Sequence, residues 1–186
     1  MKLIECVSNF SEGVNLEIIK KITNEIELID GVKLLDVDPG RDTNRTVVTF
    51  VGTPDMVIEA AFNAIKKAST LIDMRNHKGE HPRMGATDVC PIIPISGISI
   101  DECIEYSKIL AKRVGDKLKI PVFLYEESST SQDRKNLANI RKGEYEGMEE
   151  KLLSSNWKPD FGPNLINKKA GVTAIGVRNY LIAYNI

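Results

Sequence analysis

The chain has only two histidines, and both lie in one stretch, NHKGEHPRMGATDVCPIIPI, residues 76–95. His77 and His81 are four residues apart, with Glu80 directly before the second. HKGEH therefore matches H-x-x-E-H, the inverted zinc-protease pattern. That pattern brings two imidazoles together only when a helix puts them on one face, one turn apart. Gly79 lies between the histidines, and Pro82 pushes His81 towards extended backbone, so the required helix is not expected here. Lys78 and Arg83 also suit a zinc cage poorly. A different chemistry fits better. Gly79, Pro82 and Gly85 constrain the loop, and Arg83 and Asp88 add charge beside an imidazole that titrates near neutrality. Such a loop can carry acid–base work; the plain alternative is a solvated turn.

Other candidates lie in loops. Asp38 precedes Pro39-Gly40, where a turn residue is common. Arg41, Arg45 and Arg83 have guanidinium forks that match carboxylates, although most loop arginines are simply solvated. Asn9, at the end of the first strand, could contact a ligand or cap a turn.

These groups need a scaffold. Lys2–Val7 reads as a strand running into SNFSEG. Ile18, Ile19, Ile22, Ile26 and Ile29 recur at helical spacing behind Asn15 as cap. Val32–Val37 is strand-like and DPGRDTN breaks it; Thr46–Val51 is a further strand. Thr53-Pro54 opens a helix with a buried face of Ile58, Ala61, Phe62, Ile65 and Ala68. Val89–Ile95 reads as a strand whose prolines suggest an edge or bend. Ser99 and Glu102 form a capping box for a third helix. Pro121–Tyr125 is a strand, Leu137 and Ile140 sit in a short helix ended by Gly143, and Glu144–Leu153 is helical. A loop covers SSNWKPDFGPNLINKKAG, and Val172–Ile186 is strand-like. The order β, α, β, β, α, then β, α, β predicts an α+β fold: a ferredoxin-like split βαβ sheet with helices on one face and an added helical layer.

The 186 residues suffice for one domain with a real core. A net charge of −1 gives no basic field for nucleic acid, and no apolar run approaches the roughly 20 residues of a membrane span. Cys6, Cys90 and Cys103 are odd in number and unpaired in spacing, which suits small buried side chains in a reducing cytoplasm.

The motif EHPRMGATDVCPIIPI resembles the hallmark of the formiminotransferases, the glutamate formimidoyltransferases of histidine degradation. CVSNFSEG is similar to their amino-terminal CVPNFSEG, with Ser8 in place of the proline. LLDVDPGRDTNRTVVTFVG, NLANIRKGEYEG and PDFGPNLINKKAGVTAIGVRNYLIAYNI resemble three later blocks, so the similarity runs nearly end to end. It implies transfer of a formimino group from N-formimino-L-glutamate to tetrahydrofolate, releasing glutamate, without a metal. It implies His81 and Asp38 as catalytic residues. It places folate contacts on Gly162, Pro163, Asn164, Leu165, Ile166, Asn167, Lys168, Lys169, Ala170 and Gly171, with NLINKK more polar and basic than the family pattern. Arg83 above all, with Arg41 and Arg45, is expected to meet substrate carboxylates, and Lys168 and Lys169 the folate tail.

The resemblance also implies two subdomains of similar fold with substrates in the cleft between them, and a homodimer. Residues 1–186 correspond to the first subdomain. The apolar run YLIAYNI is expected to be followed by the second, in cis or in trans. The alternative from another class is a non-catalytic module that binds folate or a partner through its open face; a zinc hydrolase ranks below both.

Overall fold

A computed structural model describes residues 1–180. Strand β1 (Leu3–Phe10) leads through a turn to α1 (Leu16–Glu27), whose first amides, at Glu17 and Ile18, donate to the Asn15 side chain. Strands β2 (Val32–Gly40) and β3 (Arg45–Gly52) form a hairpin. Helix α2 (Pro54–Leu71) begins at Pro54, where no amide donor is needed. The Thr53 side chain makes no cap bond there. Strand β4 (Thr87–Ser96) precedes α3 (Ile100–Leu118), which starts at the complete Ser99–Glu102 capping box and stops at Lys119 in the left-handed region. Then come β5 (Val122–Glu126), the short helices α4 (Gln132–Lys135) and α5 (Leu137–Arg141), α6 (Glu144–Leu153), one 3-10 turn and β6 (Thr173–Val177).

The sheet order is β2-β3-β1-β4-β6-β5. The first four strands, antiparallel throughout, make the split βαβ pattern. Strand β6 slots in parallel between β4 and β5 and extends the sheet. Helices α1–α3 pack on one face around Ile4, Cys6, Phe50, Ile65, Leu110 and Leu124, all buried. On the other face α5 and α6 cover only the β4–β6–β5 end, over Phe123, Tyr125, Ile140 and Met148. Alternation along β5 supplies both cores, Val122 and Leu124 to one and Phe123 and Tyr125 to the other. The opposite end of this second face stays uncovered along β1, β3 and β2, where Glu5, Val47 and Thr49 are partly exposed. All three cysteines are buried and reduced.

The boundaries differ from expectation in three places. Strand β2 continues through Asp38, Pro39 and Gly40, because β3 pairs with it as far as Arg45. Strand β4 is central despite Pro91 and Pro94. Its ladder to β1 passes from Cys6↔Ile92 to Asn9↔Val89, omitting Pro91, which has no N–H to give. The final strand is only Thr173–Val177; residues 178–180 have no regular structure, and the rest of the expected strand lies outside the described residues.

Gly85 marks the tightest approach near the histidine loop. A Cβ there would lie 1.9 Å from the Val172 carbonyl oxygen and 2.8 Å from that of Ala170. Backbone cannot yield as a side chain tip can. Gly85→Ala is therefore expected to cost about 2–3 kcal/mol and to lower Tm by roughly 5–10 °C in a thermal unfolding scan. An unchanged Tm would show that the strand has room to shift.

Candidate active site

Register assigns the first members of the site. Asp38 pairs with Val47, and Val47 with Asn9, so the three side chains share a row on the uncovered face. Arg45 stands two residues from Val47 and points the same way. Its Nη1 donates to Asn9 Oδ1 at 2.8 Å and lies 3.0 Å from His81 Nε2. An arginine only donates, so Nε2 accepts and the ring proton of neutral His81 sits on Nδ1. Nδ1 is buried with no hydrogen-bond partner of good geometry, as is Arg45 Nε.

Residues 77–81 are not helical, so the geometry the zinc pattern requires is missing. The two imidazoles face different partners. His77 Nε2 donates to the Asn44 carbonyl at 2.9 Å, while its Nδ1 accepts from Arg83 Nε at 3.3 Å. Each ring thus has a guanidinium on one nitrogen, an arrangement that disfavours a bound cation. Asn44, at φ 45°, ties three loops together. Its Oδ1 accepts from Gly13 N at 2.9 Å and its Nδ2 donates to Lys78 O at 2.7 Å.

Arg83, expected to meet a substrate carboxylate, is engaged by carboxylates of the chain itself. Its side chain is only 9% exposed and its fork is engaged by Glu146, at 2.6 and 2.8 Å, and by Glu144, at 2.6 Å. With the Tyr145 amide donating to Arg83 O at 2.9 Å, it clamps the histidine loop onto the start of α6. Asp88 makes the second clamp. It is 1% exposed; Oδ1 accepts from Met84 N at 2.9 Å, and Oδ2 from Arg141 Nε at 2.8 Å and from Arg141 Nη2. Burial pushes its carboxyl pKa up, and Arg141 opposes the rise.

Electrostatics follow from this packing. Desolvation first, then the charges of Arg45 and Arg141, lower the His81 pKa to about 4. At neutral pH the ring is uncharged and can accept a proton. The sign is that of a depressed base: below the unfolded value of 6.5 the unfolded chain binds the proton first, so stability falls as pH drops from 6.5 towards 4. Removing one of the two charges should relax the depression. Arg45→Gln is expected to raise the His81 pKa measurably towards 6.5 in an NMR titration of the ring C–H signals. A value still near 4 would leave burial and Arg141 as the causes.

Asp38 is exposed, with no side-chain hydrogen bond among the described residues, and its charge reaches Arg45. Arg41 is exposed in the β2–β3 turn. The segment 162–171 divides in two. Lys169–Gly171 is engaged by the protein: Lys169 O accepts from Met74 N and Ala170 O from Ala86 N, both at 2.8 Å, and Gly171 N donates to Asn167 O at 2.6 Å. The Lys169 ammonium caps α2 at Thr70 O. Asn164, Leu165 and Lys168 are exposed, and Ile166 anchors the stretch in the second core. Gly162 (φ 84°) lies against Gly115 of α3, while Pro163 and Asn167 are half-buried.

A half-buried neutral imidazole, an exposed carboxylate and a guanidinium with unused donors meet on one open sheet face, an arrangement that can accept a proton and attract an anion. Residues 3–178 match the family model for the formiminotransferase domain, N-terminal subdomain, and the chain belongs to that family. It is 54% identical over 185 residues to the formimidoyltransferase-cyclodeaminase of Dictyostelium discoideum, covering all of this chain and 34% of that protein. It is 51% identical to the glutamate formimidoyltransferase of Streptococcus pyogenes serotype M1 and 45% to that of Thermoplasma acidophilum, in each case covering all of this chain and 62% of the relative. The chain thus spans between a third and about three-fifths of the length of these relatives. No helix among the described residues is long and apolar enough to cross a membrane.

Sequence reasoning missed Arg141 and the structural use of Arg83. Both depend on contacts more than 50 residues apart in sequence, Arg141 with Asp88 and Arg83 with Glu144 and Glu146. Only the block NLANIRKGEYEG, which holds three of these partners, hinted that its charges had a shared purpose.

Proposed function

We propose that this chain forms one wall of a glutamate formimidoyltransferase, which moves the formimino group of N-formimino-L-glutamate to N5 of tetrahydrofolate. The observation that supports it most is the Arg45–His81 contact beside Asp38 on an uncovered sheet face, in a chain of this family.

The N5 lone pair attacks the protonated amidine carbon, and Asp38 stabilises that cation. As the N5–C bond forms, His81 takes the N5 proton at Nε2. The same proton then passes to the glutamate nitrogen as its C–N bond breaks, and glutamate leaves as the amine. Arg45 must vacate Nε2 for this. A substrate carboxylate, a better partner than a neutral ring, draws its guanidinium away. Arg41, at the rim, is a second carboxylate contact. Folate lies along Gly162–Lys168, with Lys168 towards its glutamyl tail, and Lys169–Gly171 holds the histidine loop in place. The second wall of the cleft is supplied by a following subdomain, the working unit is a homodimer, and the compartment is the cytoplasm.

The test is direct. The full-length protein is incubated with both substrates, and glutamate release and 5-formiminotetrahydrofolate are followed together. Equimolar appearance of the two supports the reading. Tight folate binding without glutamate release would favour a non-catalytic module instead.

A further inference from the structure

Arg141 is a guanidinium with one edge in use and one unused. Asp88 Oδ2 takes Nε and Nη2, while Nη1 has no partner among the described residues. Asp88 does not fill that gap: its other oxygen accepts from Met84 N and not from Arg141. Arg141 also lines a hollow of about 360 Å³ with Pro82, the residue after His81, with Ala138, Lys142 and Gly143, and with Glu144, whose carboxylate is paired with Arg83. Arg45, on His81 Nε2, likewise has an Nη2 with no partner among the described residues. The charges of both guanidiniums reach the neutral ring, and burial, then the Arg141 charge, lower the Arg45 pKa. Asp88 and Asp38 oppose these charges, but neither takes the unused donors, and a pair of guanidinium edges without partners is a local arrangement that an anion would complete.

We propose that Arg141 binds a substrate carboxylate beside His81 through its unused Nη1 edge, and that buried Asp88 is the positioning residue that aims it. This rests on the formimidoyltransferase reading, because both substrates of that reaction carry carboxylates. It differs from the expected role of Arg83, whose fork is engaged by Glu144 and Glu146. The guanidinium held by Asp88 contributes geometry as well as charge: its fork is fixed at one end and presented to the ligand at the other.

The experiment uses the full-length protein as wild type, Arg141→Ala, Arg141→Lys and Asp88→Asn. KM and kcat are measured for N-formimino-L-glutamate, for its α- and γ-monoamides, and for tetrahydrofolate with and without its terminal carboxylates. Arg141→Ala should raise KM for one substrate by about 10- to 100-fold, the effect of losing one charge-assisted pair, with a smaller change in kcat. Wild type should lose a similar factor when the carboxylate Arg141 reads is amidated or removed, and Arg141→Ala should lose nothing more. Which analogue shows this names the source of the carboxylate. Lysine should restore part of the loss, and Asp88→Asn should raise the same KM alone. A merely structural pin would lower Tm but leave the discrimination between acid and amide intact, and that result overturns the proposal. Absence of glutamate release in wild type sinks the transferase reading separately; calorimetric binding of the diacid and its monoamides still reads Arg141, and equal affinities in wild type and Arg141→Ala would overturn its role.

Discussion

Replacing His81 by alanine in the full-length protein is expected to lower kcat for formimino transfer by about 10²- to 10⁴-fold, the usual contribution of a positioned acid–base group. The fold should tolerate the change. His81 is half-exposed, belongs to no core cluster, and among the described residues its side chain bonds only to Arg45, which keeps Asn9 as a partner. His77→Ala should show the reverse profile. His77 joins the β2–β3 turn to Arg83, so its loss leaves the Asn44 carbonyl and Arg83 Nε without partners, at about 1–3 kcal/mol. Stability should fall there while turnover changes far less. Rate and Tm measured on both variants separate the roles; equal rate losses would point to a shared structural function.

The second large effect concerns enclosure. Holding two reactants in register can contribute about 7–11 kcal/mol to a transfer reaction. Asp38 is exposed, and the row Asp38–Val47–Asn9 lies on a sheet face that no described element covers. One wall can supply a base and a counter-charge, but it cannot exclude water. Residues 1–186 assayed by themselves are therefore expected to transfer formimino groups at least about 10³-fold more slowly than the full-length protein, and to bind folate weakly. Adding the segment that follows in the relatives, in trans, should recover much of the rate. Full activity from the 186 residues would show that the site is closed by another means, such as a second copy.

The parts of the fold governed by local rules were readable from the residues. Asn15, Pro54 and the Ser99–Glu102 box mark helix starts because each satisfies or removes an amide donor within four positions. The order of elements and the split βαβ core followed from the sequence of periodicities. Elements set by distant partners were not readable. Pro91 and Pro94 argued for an edge, yet β6, some 80 residues later, pairs with β4 and makes it central. Pro39-Gly40 looked like a break, yet β3 holds it extended. The site divides the same way. The histidine loop stood out through the scarcity of histidine and its constrained backbone, and the resemblance chose His81 over His77. Arg83 and Arg141 look alike as loop-end arginines, and only Glu144, Glu146 and Asp88 decide which of them keeps an unused edge.

The late insertion of β6 has a kinetic consequence. Until residues 173–177 have left the ribosome, β4 and β5 have nothing between them, and the Ala86 amide and the Met84 carbonyl lack the 170–172 segment they pair with. The ferredoxin-like part, whose four strands are all made by residue 96, can assemble first. The loop that carries His81 would then gain its fixed shape only at the final step. Conservative truncations in Thr173–Val177 should speed unfolding and barely slow folding, giving φ-values near zero. Values near one would instead put β6 in the nucleus, and the histidine loop would take shape early in folding.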